Sequence, residues 1–247
     1  MPKIAKNQKD SNPRISYDGK YWYLSIGYEA ENIPKPELSG ETIGIDLGVK
    51  ELAIVSDGRV YRNINKTYEV RRLKKKLKRE QRKASRRVQQ NIKGYDKNRH
   101  PIWKRPLKDC RNVERQNRKI RLLYRRINNI RTNYLHQTTT AIVKTKPSRI
   151  VMETLNVKGM MKNRHLSGAI AAQKLYEFKR QMQYKCEALG IELIEADRFY
   201  PSSKTCSHCG YIKRDLKLKD RIYRCPECGL VIDRDLNAAI NLAKYTV

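Results

Sequence analysis

The sequence is short of acid. Its 247 residues set 25 Asp and Glu against 55 Lys and Arg, a formal charge of +30. A surface of that charge repels itself unless a polyanion lies against it. No run of about 18 apolar residues is present, which excludes a transmembrane helix. The start, MPKIAKNQKD, has no apolar core segment, so no secretory signal is expected and a cytoplasmic setting is. No amphipathic segment carries an aromatic or Leu-rich face, so nucleic acid is expected as the partner and a membrane is not. P-loop and G-x-G-x-x-G patterns are missing, and the four histidines stand in unrelated polar segments. Nucleotide hydrolysis and Ser-His-Asp or Cys-His catalysis therefore have no support. What is present, 39% hydrophobic residues, argues against wholesale disorder and suits one domain with insertions or two small ones.

The positive charge is concentrated. Residues 71–131 hold 25 Lys and Arg against Glu80, Asp96, Asp109 and Glu114, and so carry most of the excess. Two helical patterns lie in this region. Val70, Leu73, Leu77, Ala84 and Val88 make the first. Val113, Gln116, Ile120, Leu123, Ile127, Ile130, Tyr134, Gln137 and Ala141 make the second, alternating steps of three and four. Asn91 to Cys110, with Gly94, Pro101 and Pro106, is expected to be a loop between them. The result is a long antiparallel helical hairpin with a narrow apolar seam. A solvated charged coiled coil is the plainer reading, but acids for i,i+4 pairing are nearly absent. Phosphate is the better counter-charge. The expected contacts are Arg71, Arg72, Lys74, Lys75, Lys76, Arg82, Lys83, Arg86 and Arg87.

Around the hairpin the periodicity alternates between strand and helix. Arg14–Tyr17 and Lys20–Tyr28 flank Asp18-Gly19, a tight-turn dipeptide. Glu41–Asp46, Glu51–Ser56 and Arg59–Tyr61 predict three short antiparallel strands. After the hairpin come a strand at Arg149–Glu153, a helix from about Ala169 to Leu189 stopped by Gly190, a strand at Ile191–Asp197, and a helix at Asp235–Tyr245. This mixed α/β order resembles a ribonuclease-H-like core.

Four of the six cysteines form Cys206-x2-Cys209 and Cys225-x2-Cys228, with 15 residues between the pairs. Each pair is followed by a glycine that lets backbone amides turn toward the thiolates. Four thiolates at this spacing suit a structural Zn²⁺. Disulfides are disfavoured because no export signal is expected and two cysteines would be left over. His208 reads as a loop residue, and Cys110 and Cys186 as thiols without chemistry.

The carboxylates are the second constellation. Asp46 and Glu153 each end an apolar strand, and Asp233 and Asp235 open the last helix. Singly, an Asp beside Gly is a turn former and an Asp opening a helix is a cap. Together they make a site for Mg²⁺, which takes oxygen ligands. Two such ions can activate a water and stabilise the leaving oxygen of a phosphodiester. Spacing alone leaves Asp233 and Asp235 as alternatives.

Gly44-Ile45-Asp46-Leu47-Gly48, Val151-Met152-Glu153-Thr154-Leu155-Asn156, the stretch Asp197 to Cys206, the two knuckles, and Asp233-Arg234-Asp235-Leu236-Asn237-Ala238-Ala239 occur in order. In these motifs the chain resembles the TnpB (OrfB-type) family of bacterial and archaeal insertion sequences, relatives of miniature type V CRISPR effectors. The resemblance implies an RuvC-type nuclease of ribonuclease-H-like fold, split by a zinc ribbon and cutting target DNA under a transposon-encoded (omega-type) guide RNA. It implies Asp46, Glu153 and Asp235 as a Mg²⁺-binding catalytic triad in a nucleoid-associated protein. It divides the chain into a wedge-barrel remnant (1–38), a first RuvC-like core segment (39–66), the basic helical insertion (67–146), a second core segment (147–203), the zinc ribbon (204–230) and a third core segment (231–247). Only Arg14–Glu31 would survive of the barrel, and the recognition lobe would be missing at the N-terminus. A protein partner or second copy would then have to supply it. The alternative is a non-catalytic or partner-dependent RNA/DNA-binding fragment that assists or regulates a transposon nuclease.

Overall fold

The computed structural model describes residues 11–27, 34–217 and 219–246. The signal-peptide reading of residues 1–10 and the barrel-remnant residues 28–31 lie outside them. In chain order the elements are β1 (Ser11–Tyr17), β2 (Trp22–Gly27), β3 (Ser39–Leu47), β4 (Glu51–Val55), β5 (Val60–Arg62), α1 (Tyr68–Gln90), β6 (Ile92–Tyr95), β7 (Pro101–Trp103), α2 (Arg111–Val143), β8 (Pro147–Glu153), α3 (Val157–Met161), α4 (Ser167–Gln173), α5 (Leu175–Leu189), β9 (Glu192–Ala196), β10 (Ile222–Arg224), β11 (Val231–Asp233) and α6 (Arg234–Ala243). Two compact units result, one from residues 1–33 and 67–130, the other from 34–66 and 131–247. No helix among the described residues is long and apolar enough to cross a membrane.

The second unit is built on a five-stranded sheet in the order β5-β4-β3-β8-β9. β3, β8 and β9 run parallel; β4 is antiparallel to β3 and β5 antiparallel to β4, so β4 alone runs against the other four. This is a ribonuclease-H-like core. Alternation along the strands sends residues to opposite faces. Ile43, Ile45, Leu47, Ile150 and Met152 enter a core with Ile142, Ile170, Phe178 and Met182. Gly44, Val151 and Ala196 face the other way, toward Leu242 of α6.

One helix expected from Ala169 to Leu189 is two. Lys174 sits between them in the left-handed region, with φ 55°. Tertiary partners take over the end of α4: Asn65 Nδ2 donates to the Ala172 carbonyl, Gln173 Nε2 to the Gly48 carbonyl, and Lys174 Nζ to Thr132 Oγ1. These bonds override the local helical pattern, while Gly190 closes α5 as expected.

In the first unit, Val70, Leu73, Leu77 and Ala84 of α1 are buried, as are Val113, Gln116, Leu123 and Ile127 of α2. Gln116 Nε2 donates to both the carbonyl and the carboxylate of Glu80. Further along α2 the expected seam does not hold. Gln137 and Ala141 are exposed, and Leu135, Thr138, Thr139, Ile142 and Val143 are buried instead. A strict 3.5-residue seam drifts about 20° per heptad on a straight helix. From Arg131 onward α2 belongs to the second unit.

The expected loop at 91–110 holds a small hairpin, β6–β7. Pro101 opens a strand, where it need not donate, and the register shifts between Ile92 and Gly94. The turn at Asp18-Gly19 is wider than two residues, because Tyr17 pairs with Trp22. The Asp18 carboxylate holds it, accepting from the Lys20 and Tyr21 amides and from Arg125 of α2.

Candidate functional site

The acid site follows from sheet register. Ile45 pairs with Met152 in the parallel ladder, so Asp46 and Glu153 come next, side by side on one face. That face is the one α6 covers. A Cβ on Gly44 would stand 2.0 Å from the Ala239 carbonyl oxygen, so the absence of a side chain lets the helix backbone rest on the strand. From Gly44 to Asp46 the strand advances about 6.6 Å. From Ala239 back to Asp235 the helix advances about 6 Å. Asp235, in the first turn of α6, therefore comes level with the two strand acids. All three line one open cavity of about 340 Å³, together with Arg221 and Arg234.

The electrostatics are those of crowded like charges. Burial first, then the negative charges of Glu153 and Asp235, push Asp46 well above the usual carboxylate range. Glu153 is also raised by burial, against the pull of the adjacent Asp46 and of Arg234. A carboxyl pair of this kind shares a proton or accepts a cation. Asp233 has a different place. Its side chain caps α6, accepting from the amides of Asp235 (2.9 Å) and Leu236 (3.1 Å).

Two residues at this site are not marked out by the sequence reasoning. Arg221 stands 3.8 Å from the Asp235 carboxylate, and Arg234 donates to the Lys217 and Asp220 carbonyls while lining the cavity. Arg234 sits between Asp233 and Asp235 and could have been noticed there. Arg221 is one basic residue among 55, and nothing local marks it.

The four cysteines converge. Their sulfurs all lie within 4.8 Å of one another, with Cys206–Cys228 at 3.6 Å and Cys209–Cys225 at 3.5 Å. A tetrahedron with Zn–S of about 2.3 Å has an edge of about 3.8 Å, so this donor set fits a metal ion. Both knuckles are made alike. The Cys206 amide donates to the Tyr211 carbonyl and Gly210 to the Cys206 carbonyl; Cys225 and Gly229 repeat the pattern. Gly210 and Gly229 hold φ of 80° and 73°, which explains the glycine after each pair. Against burial that raises it, backbone N–H groups of Cys228 and Glu227 bring the Cys225 thiol down to about 7. His208 is exposed and outside the cluster, whereas Cys110 and Cys186 are buried elsewhere.

On α1, Arg71, Arg72, Lys75, Lys76, Arg82, Lys83 and Arg86 are exposed, with Lys74 and Arg87 half-buried. Lys75, Arg79, Arg82 and Arg86 run down the face opposite Val70, Leu73, Leu77 and Ala84; Arg79 is an addition to the expected set. The helix's two acids are engaged. Glu69 pairs with Arg126, and Glu80 with Lys83 and Gln116.

Comparison with known proteins matches most of the chain. The Probable transposase family (OrfB of the IS605 type) matches residues 25–164, and the Cas12f1-like TNB domain matches 176–242. A Streptomyces pristinaespiralis protein proposed to be an RNA-guided DNA endonuclease is 32% identical over 221 residues, covering 90% of this chain and 49% of that protein. InsQ of Escherichia coli K12, proposed to have the same activity, is 32% identical over 246 residues, covering 94% and 55%. The chain thus spans about half the length of these curated relatives. In fold it is similar to Cas12f1 in a complex with guide RNA and target DNA (TM-score 0.53, 18% identity, 93% of this chain and 55% of that one). A CRISPR-Cas12f ternary complex gives a TM-score of 0.56 at 22% identity, covering 90% and 42%. The chain belongs to the OrfB family of probable transposases, the TnpB-type transposon-associated nucleases.

Proposed function

We propose that this chain carries the cleavage site of an RNA-guided DNA endonuclease encoded by an insertion sequence and acting at the bacterial or archaeal nucleoid. The observation that carries the reading is the convergence of Asp46, Glu153 and Asp235 in one open cavity of a strongly basic chain. These three would hold Mg²⁺, which supplies an activated water and neutralises charge on the phosphodiester. Glu153 and Asp46 place their oxygens by register on a rigid sheet, and Asp235 places its own by the close seat of α6. Arg221 and Arg234 set positive charge at the rim, where a phosphate would otherwise meet three acids. Zn²⁺ at Cys206, Cys209, Cys225 and Cys228 would be structural, since all four positions are taken by protein. Guide RNA would lie along the basic row of α1, held through phosphates. A protein partner or second copy would contribute guide or target contacts beyond this chain.

The test is Mg²⁺-dependent cleavage of single-stranded or bubble DNA by the chain purified with its bound RNA, and by the chain joined to a relative's remaining half. Cleavage lost on Asp46→Ala or Glu153→Ala, with RNA binding kept, supports the reading. Cleavage that persists with both acids replaced rejects it. RNA binding without cleavage in either form favours a non-catalytic binder.

A further inference from the structure

Two buried amides tie the helix that carries Asp235 to the backbone around a cysteine. Asn237, fully buried, donates from Nδ2 to the Thr205 carbonyl (2.7 Å) and accepts at Oδ1 from the Ser207 amide (2.9 Å). These two groups flank Cys206, so the side chain grips the first knuckle as a neighbouring strand would. One turn later Asn241, also buried, donates to the Ser202 carbonyl (2.7 Å) and again to Thr205 (2.6 Å). Lys244 Nζ donates to the Ser207 carbonyl, and the Tyr200 hydroxyl to the carbonyl of Asn241.

The ribbon has its own core in Cys206, Leu216, Tyr223 and Cys225. The inner side of α6 has its own seat through Ala238, Ala239 and Leu242. The amides serve neither core directly. They fix where α6 stands along its axis relative to the knuckle, and so where Asp235 stands. A buried amide that loses its partners bears its full desolvation cost, so α6 cannot slide while the knuckle keeps its shape. A closed four-thiolate metal centre keeps that shape, because metal binding there is coupled to folding.

We infer that Asn237 and Asn241 are positioning residues that link occupancy of the four-cysteine centre to the placement of Asp235. Metal binding at the acid site then depends on a zinc site that contributes no ligand to it. This rests on the reading of Asp46, Glu153 and Asp235 as a divalent-metal site.

The test uses the 247-residue chain and Mn²⁺ as the probe, with free ion counted by electron paramagnetic resonance and zinc measured separately. Asn237→Ala should keep one zinc per chain yet bind Mn²⁺ roughly tenfold or more weakly. Removing zinc from the parent chain with a mercurial, under conditions that preserve its helical circular dichroism, should weaken Mn²⁺ by a similar factor. Removing it from Asn237→Ala should add little, because the link is already cut. An amide that merely supports the fold would lower the melting temperature and leave the zinc-to-manganese linkage intact. Should Asn237→Ala not fold, Asn241→Ser carries the same comparison. Asp235→Ala separates the two readings. If it binds Mn²⁺ like the parent, the acid site is wrong and the positioning inference goes with it. If it binds weakly while the Asn variants and the zinc-free chain bind normally, only the positioning inference is overturned.

Discussion

Asp46 and Glu153 stand side by side at the ends of two adjacent parallel strands and line one cavity, crowded enough that Asp46 tends to keep its proton. Burial, then the neighbouring acids, raise Asp46, so the folded chain holds this proton more tightly than the unfolded chain does. Stability from that proton is complete below the unfolded carboxylate pKa of about 3.9 and is lost as pH rises through the folded value. Asp46→Asn removes the penalty. Without added divalent metal the variant should melt above the parent at neutral pH, and the difference should shrink toward zero near pH ~4. Mg²⁺ at about 100 times its Kd should raise only the parent, by about 2.7 kcal/mol. A pH-independent difference would contradict the assignment. Scanning calorimetry in Mg²⁺-free and Mg²⁺-containing buffers reads both effects.

Gly44 is the contact on which α6 rests. A Cβ there meets the backbone at Ala239 and Ala243, at 2.0 and 2.4 Å, and backbone cannot rotate away as a side chain can. Gly44→Ala should cost about 1–3 kcal/mol or more and move Asp235 off the strand acids. Gly40→Ala, with open space around it, serves as the control. Equal melting temperatures for the two variants would show that the helix seat is looser than described.

The ribbon should fold with its metal. Cys225→Ser should lower bound zinc below one per chain and open residues 204–230 to limited proteolysis. One tightly held zinc in that variant would rule out the four-thiolate site.

Much of this was legible because it is written in local pattern. Asp46 and Glu153 each end an apolar strand, and the knuckles repeat the same spacing. Asp233 and Asp235 could not be separated by spacing, since either can cap a helix; three-dimensional placement gives the cap to Asp233 and the cavity to Asp235. The break at Lys174 was hidden because Asn65, Gly48 and Thr132, distant in sequence, supply its partners. The β6–β7 hairpin was hidden because Gly94, Pro101 and Pro106 read as breakers. Arg221 reaches Asp235 only through the ribbon's fold.

Reversing charge at Arg71, Arg72, Lys74, Lys75 and Lys76 should weaken RNA binding. It should also flatten the slope of log affinity against log salt by about 0.7–0.9 for each phosphate no longer neutralised. Extending the reversal to Arg79, Arg82 and Arg86 should do more per residue, because these, with Lys75, line the face away from the seam. An unchanged slope in filter binding at several salt concentrations would show that α1 faces solvent.

The most direct measurement is anomalous scattering from a crystal of the chain soaked in Mn²⁺. Manganese peaks are expected in contact with Asp46, Glu153 and Asp235, with none at Asp233, and a separate zinc peak among Cys206, Cys209, Cys225 and Cys228. Manganese ordered only at Asp233, or absent from the three acids at saturating concentration, would contradict the assignment of the acid site.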